Sequence, residues 1–309
     1  MLISLGLPTD RLPASPELAT GTAVMSISAR AESAGYDALF VTDHPFPPST
    51  WLGRGGHHSL DPFVALSFAA AATTTIKLQT NLLILAYRNP FLAAHGIATL
   101  DSLSGGRLLV GLGAGYLEGE FAALGATFAD RGRHTDEGIA AMKAAWSGDP
   151  VTFDGNGFAA DRNVLQPLPV HRPHPPLLIG GNSIAAIRRA VKMADGWIPM
   201  PSPAAASRLL KTPGIESIDD LAARITIATE MGEESGRSDP LQIWFTPWAL
   251  SGFGSSSWDA ARLRDDLAQL ASIGVSGVTI TLPGTTLAEF ERSLDTFASD
   301  VVAHGIDGR

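Results

Sequence analysis

The feature of this sequence that most restricts its fold is an alternation, sustained from end to end, of short β-branched or apolar runs with longer stretches of helical period. Strand-like runs fall at residues 2–7, 38–42, 77–85, 108–112, 176–180, 196–200, 242–249 and 277–282. Helical patterns fall between and after them, at 22–34, 62–72, 90–103, 135–146, 183–193, 218–232, 258–272 and 287–303. Such alternation is the signature of repeated βα units around a parallel sheet. Eight units in a chain of 309 residues fit a closed (β/α)8 TIM barrel, one domain over residues 1–309, better than an open doubly wound sheet. A dinucleotide-binding sheet is the rival. Gly111, Gly113 and Gly115 follow a strand, but their spacing is GLGAG and no early strand carries the fingerprint.

Asp61 before Pro62 and Asn89 before Pro90 place a capping side chain ahead of a proline at the first helical position, where the missing N–H costs nothing. Two stretches interrupt the rhythm and read as insertions at the carboxyl ends of the strands. Residues 151–176 suggest a small hairpin turning at Asp154, Gly155 and Asn156, with a proline-rich return, and residues 201–214 suggest an irregular loop or lid.

Composition narrows the function. A core of this size is well supplied by 45% hydrophobic residues, and the formal charge of −9 gives no basic footprint for nucleic acid or an anionic membrane. With no cysteine, thiolate metal sites and cysteine nucleophiles are excluded. No leader pattern opens the sequence and no apolar run is long enough to span a bilayer, so a cytoplasmic location is the expectation. HExxH, Walker and GxSxG motifs are absent, His57 and His58 lack a spaced third ligand, and His171 and His174 flank prolines in the excursion; no metal site is expected.

In a barrel of this type chemistry belongs at the strand carboxyl ends. The second run ends in Asp43 and His44, a carboxylate beside an imidazole able to carry a proton near neutral pH; a capped loop with a surface histidine is the plainer possibility. The third changes character at Gln79, Thr80, Asn81 and Leu82, where a bulge could press backbone against a flat ligand, or Asn81 could be a satisfied core group. The fourth opens into Gly113, Ala114, Gly115 and Tyr116, small residues beside a phenol that could admit a planar ring or merely pack tightly. The fifth ends in Gly180, Gly181, Asn182 and Ser183 and runs into a helix, an anion site or an ordinary N-cap. Trp197 and Trp248 could wall a pocket or fill core.

Taken together, these stretches resemble a known family. RNPFLAAHGIATLDSLSGGRLLVGLGAGYLEGEFAALG (residues 88–125), GYDALFVTDH (35–44), RGRHTDEGIAAMKAAW (131–146), HPPLLIGGNS (174–183) and DGW (195–197) are similar to the bacterial-luciferase-like flavin and deazaflavin oxidoreductases, particularly the coenzyme F420-dependent branch. The resemblance implies a barrel with the tricyclic ring of F420, or alternatively FMN, over the strand ends. A non-prolyl cis peptide backing the ring maps to Asn81-Leu82, with Thr80 beside it. Asp43 and His44 map near the reactive edge, and Ala114, Gly115, Tyr116, Gly180, Gly181, Asn182 and Ser183 map to the ring and phosphate contacts. It also implies a homodimer. Hydride transfer to or from a small organic substrate, with His44 or Tyr116 handling the proton, is the leading expectation. An FMN-dependent monooxygenase fed by a separate reductase is the alternative, and a non-catalytic flavin-binding protein is a third. The F420-dependent sugar-phosphate dehydrogenases carry a tryptophan where this chain has Pro48 and a glutamate where it has Tyr116, which argues against sugar-phosphate oxidation. Bacterial luciferase places a phosphate-binding arginine where this chain has Ala114, which argues against an FMN site of that design.

Overall fold

The computed structural model describes residues 1–250 and 258–305. Every strand expected from the sequence forms, with ends displaced by a few residues: β1 (Leu2–Gly6), β2 (Ala38–Val41), β3 (Lys77–Ile84), β4 (Leu108–Gly113), β7 (Leu177–Gly180), β8 (Gly196–Ile198), β9 (Gln242–Phe245) and β10 (Val275–Ile280). They close in the order β1-β2-β3-β4-β7-β8-β9-β10, each neighbour parallel, with β10 returning to β1. The remaining pair, β5 (Val151–Gly155) and β6 (Phe158–Asn163), is the hairpin of the first excursion. Its ladder continues through Gly155 opposite Phe158, so the turn lies at Asn156 and Gly157 rather than at 154–156. Gly157 takes the reversal with φ +85°, a conformation open to glycine at no steric cost.

The helices α1 (Gly21–Ser33), α3 (Pro62–Ala72), α4 (Pro90–Ser104), α6 (Arg131–Ala145), α7 (Ile184–Met193), α9 (Ile218–Glu234), α10 (Ala260–Ser272) and α11 (Leu287–Asp300) follow the strands as crossovers. Asp61 accepts from the amides of Phe63 and Val64, and Asn89 from those of Phe91 and Leu92, so both expected caps form. Two short helices escaped the sequence pattern, α2 (Ser49–Leu52) after β2 and α5 (Glu118–Ala123) after β4; the 201–214 excursion carries a third, α8 (Ser207–Leu210), and is tied to itself by the bridge Ser202↔Ile215.

Strand alternation divides the apolar residues in two. Leu5, Leu39, Leu78, Leu112, Ile179 and Trp197 face outward against helical residues such as Ile27, Leu66, Ile97 and Ile187. Leu109, Leu178, Ile198 and Trp244 fill the barrel itself, with Leu2 at one end and Leu82 at the other. Trp197 thus belongs to the outer core, and its indole donates to the Gly181 carbonyl at 2.8 Å. Trp248 packs on Phe245, ring centroids 4.7 Å apart.

Candidate active site

At the carboxyl end of β2 the chain leaves the barrel through Thr42, Asp43 and His44. Asp43 is buried, and its two oxygens are taken: Oδ1 accepts from Arg88 at 2.7 Å, and Oδ2 from the Ile84 amide at 2.9 Å and, more weakly, the Tyr87 hydroxyl at 3.5 Å. Burial pushes the carboxyl above its ordinary pKa, while Arg88, the Ile84 amide and His44 pull the other way. Asp43 therefore braces the end of β3 against the end of β2 and holds the loop that presents His44.

The His44 ring stands between two partners. Nδ1 lies 3.4 Å from Glu120 Oε2, and the Tyr116 hydroxyl lies 3.4 Å from Nε2. Glu120, on α5, is itself buried, and its second oxygen accepts from the Phe46 amide at 3.1 Å. That grip depends on close approach. A methyl group built on Gly119 would stand 2.7 Å from Pro48, so only glycine there lets the 45–48 loop lie against α5. Below the loop, the Ser59 hydroxyl accepts from the His44 amide at 2.8 Å. Trp51, on α2, tilts over His44 with ring centroids 4.6 Å apart, and His57 meets His44 edge-on at 5.0 Å. Burial holds the His57 imidazole below its ordinary pKa, against its bond to the His58 carbonyl, and His44 adds to the depression. Burial, and after it Glu120, push the Tyr116 phenol up to about 12, so at neutral pH it is a hydrogen-bond donor.

The floor of the mouth is made by the bulged third strand. Register slips between Thr80 and Leu83, the Asn81-Leu82 peptide is cis, and Thr80 turns its hydroxyl to the Gly111 carbonyl at 2.8 Å. Leu82 then lies across the neighbouring strands. A methyl group built on Gly180 would overlap its Cδ1, and one on Gly113 would come within 3.3 Å of its Cβ. Ala114 and Gly115 continue the rim, with Gly115 at φ +80° and its Cα 's free face closed by Phe121, 2.6 Å from where a Cβ would sit.

Beside β4, β7 ends at Gly180 and Gly181, the latter at φ +109°, and α7 begins. Ser183 is its N-cap, accepting from the Ala186 amide at 3.2 Å. The earlier first-turn amides have no acceptor inside a helix. Asn182 is fully buried and its side chain is committed to the 200–213 excursion. Its amide group donates to the carbonyls of Met200 (2.9 Å) and Pro213 (2.8 Å), and its oxygen accepts from the Met200 amide (2.9 Å). Its carbonyl accepts from Arg224 of α9 at 2.7 Å.

The structure thus brings together Asp43, His44, Thr80, Asn81, Leu82, Ala114, Gly115 and Tyr116 around the mouth, with Gly180, Gly181, Asn182 and Ser183 on the next strand end round from β4. Trp197 and Trp248 pack into the outer core instead, as an indole N–H satisfied by a backbone carbonyl allows. Glu120 and Arg88 went unnominated by sequence, and Trp51 and His57 fall in a stretch, residues 51–58, that the sequence marks only as a segment expected to border the substrate. A tryptophan and a glutamate do reach His44, from positions 51 and 120. Among the described residues no group of three or more histidines and carboxylates could hold a metal ion, and no helix is long and apolar enough to cross a membrane.

Residues 5–232 match the family model of the luciferase-like monooxygenases. The chain belongs to that family. An uncharacterised protein of Mycobacterium tuberculosis is 28% identical over 302 residues, 91% of this chain and 95% of its own length. An F420-dependent glucose-6-phosphate dehydrogenase of Beutenbergia cavernae is 34% identical over 182 residues, covering 57% of this chain and 51% of that one. An FMNH2-dependent dimethylsulfone monooxygenase of Pseudomonas putida is 31% identical over 186 residues, covering 54% and 49%. Among solved structures, the monooxygenase RslO1 of Streptomyces bottropensis superposes with a TM-score of 0.77 at 18% identity over 98% of this chain and 99% of that one. An F420-dependent secondary alcohol dehydrogenase does so at 0.74 and 18% over 99% of each. As a luciferase-like oxidoreductase this chain stands among relatives of both cofactor types.

Proposed function

We propose that this protein is an F420-dependent oxidoreductase in which His44, held between Glu120 and Tyr116, carries the proton that accompanies hydride transfer to or from a small organic substrate. The clasped imidazole is the observation that carries this reading. The mouth suits a flat tricyclic ring: Leu82 spreads an apolar floor over bare glycine backbone, and the helix start beyond Gly181 offers amides for a phosphate. Asn81, Leu82, Ala114 and Gly115 would hold the ring, with Asp43 bracing its reactive side, and Gly180, Gly181 and Ser183 the phosphate side, with Asn182 fixing that corner's shape. When bound, the deazaflavin supplies a two-electron hydride carrier at C5.

The residues of the chain handle the proton. With Glu120 accepting from Nδ1–H, the Nε2 lone pair of His44 accepts from the Tyr116 hydroxyl. Oxidation of a substrate hydroxyl would hand its proton to the Tyr116 oxygen as Tyr116 passes its own to Nε2; reduction of a carbonyl would run the same relay in reverse, from a protonated His44 through Tyr116. Trp51 and His57 cover the imidazole and keep bulk water from it.

Similarity to the FMNH2-dependent monooxygenase supports the second reading, FMN chemistry with molecular oxygen and a separate reductase. Fluorescence titration of the purified protein with F420 and with FMN separates the two. Tighter binding of F420 is expected, and a clear preference for FMN replaces the first reading by the second. Within either reading, residues 1–309 act as one barrel domain, in the cytoplasm and as a homodimer.

A further inference from the structure

Ser4, Gln79 and Trp244 are wholly inaccessible, and among the described residues the Ser4 hydroxyl, both polar atoms of the Gln79 carboxamide and the Trp244 indole nitrogen find no hydrogen-bond partner. Their strands are not neighbours, but the barrel's register brings them together. Ser4 pairs with Ala38 and Ala38 with Lys77; two residues on from Lys77 is Gln79. Gln79 pairs with Leu109, and since Val110 pairs with Leu177, two residues on from Leu109's partner is Leu178. Leu178 leads through Gly196 and Gln242 to Trp244, and Trp244 through Gly277 and Leu2 back to Ser4. A walk that closes on itself with one residue of stagger per strand traces one layer of side chains from alternate strands. Three of the four members of that layer carry unpaired polar atoms.

The layers on either side isolate it. Toward the mouth stand Phe40, Gly111, Ile198 and Thr279, the last satisfied by Thr246 at 2.7 Å, and Leu82 closes over them. On the other side stand Ala38, Leu109, Gly196 and Gly277. Trp244 occupies the space over Gly277, 2.6 Å from where a Cβ would sit, and Leu178 that over Gly196, at 2.5 Å. The small residue left is Ala38, beside Ser4 and Gln79. We infer that an ordered water molecule is bound there, bridging Ser4, Gln79 and Trp244 as an integral part of the barrel core.

The donor set selects water. An indole N–H only donates, which repels a cation, and none of the twelve residues in these three layers carries a cationic side chain able to bind an anion. A hydroxyl and a carboxamide donate and accept, so the occupant must do both: accept from Trp244 Nε1 and give its protons to Gln79 Oε1 and Ser4 Oγ.

A high-resolution crystal structure of the whole protein should show one density peak within hydrogen-bond distance of all three side chains. Water oxygen-17 relaxation dispersion supplies an independent measure: the wild type should hold one more long-lived internal water than the double variant Ser4→Ala, Gln79→Met. Direct bonding among the three side chains with no peak between them, or equal dispersion in wild type and a folded double variant, overturns the inference. Should the double variant fail to fold, the wild-type density decides alone.

Discussion

The two ends of the barrel use carboxylates differently. At the amino-terminal end of the strands, acidic side chains are spent chiefly on backbone amides. Asp37 accepts from Ile3, Asp195 from Leu177, Glu32 from Thr74, Thr75 and Ile76 and from the Thr75 hydroxyl, and Asp101 from Leu108, Val170 and His171, with the half-buried His171 ring also against its Oδ1 at 2.9 Å, away from the mouth. At the carboxyl end, Asp43 and Glu120 each use one oxygen in the same way, on Ile84 and Phe46, and turn the other to a side chain, Arg88 or His44. The first arrangement fastens loops; the second fastens a loop and also orients the side chain proposed as the proton carrier, His44, beside the mouth. The contrast gives a physical form to the division of labour in such barrels, stability at one end and chemistry at the other.

The largest expected effect breaks the contrast at the reactive end. His44→Ala should lower kcat about 10²–10⁴-fold, the usual worth of a positioned acid–base group, with little change in F420 affinity or melting temperature. Unchanged turnover with normal cofactor binding would leave the carboxyl end without its proton carrier. Next comes Asp101→Ala at the other end. It strands the amides of Leu108, Val170 and His171 around a fully buried position, and should cost about 2–4 kcal/mol in urea unfolding. KM and kcat of the surviving folded fraction should hold. A loss of activity without a loss of stability would erase the distinction between the ends.

Glu32→Gln tests the same end through pH. Partial burial raises the Glu32 carboxyl, but the amides of Ile76, Thr75 and Thr74 and the Thr75 hydroxyl outweigh it and bring the pKa down to about 2 from an ordinary 4.5. A carboxyl lowered by folding stabilises above its unfolded value, and that contribution fades as pH falls from about 4.5 toward about 2. The group is largely solvated, so the contribution at neutral pH is on the order of 1–2 kcal/mol. Urea unfolding at pH 7 and near pH 2 should show wild type converging on the variant in acid; a gap independent of pH would mean that the carboxylate charge is not what holds the 74–76 loop.

How far the sequence announces these arrangements depends on what a run of residues can encode locally. Alternation and the Asp61-Pro62 and Asn89-Pro90 caps are local, and the barrel followed from them. Asp43, His44 and Tyr116 stand where apolar runs give way to polar ones, so they too were legible. Glu120 was not, and Trp51 only as part of a stretch expected near the substrate: each sits on a helix of fewer than two turns whose facing is decided by packing, and the one local hint to Glu120 was Gly119, whose missing side chain admits Pro48. Asn182 was legible as a strand-end polar residue but not as an anchor of the 200–213 excursion, because its partners are Met200 and Pro213. Nor does sequence pattern distinguish Asp101 in mid-helix from a solvated charge.

Ser183 lies at the carboxyl end yet serves as the amino-terminal carboxylates do, with its oxygen on a backbone amide. Two substitutions separate its roles. Ser183→Ala removes the cap and should cost about 1 kcal/mol of stability, while F420 affinity should change little, because the hydroxyl is spent on Ala186 and, on the proposed reading, main-chain amides would meet the phosphate. Ser183→Asp keeps a good cap and so should keep the melting temperature. It also sets a negative charge where the phosphate is expected, and F420 binding should weaken about tenfold or more, roughly 1.4 kcal/mol. If the aspartate variant binds F420 as the wild type does, the phosphate lies elsewhere and this helix start is a capped helix alone. If it weakens binding while alanine does not, the corner at the start of α7 holds the cofactor through its backbone, leaving side-chain chemistry to the His44 side of the mouth.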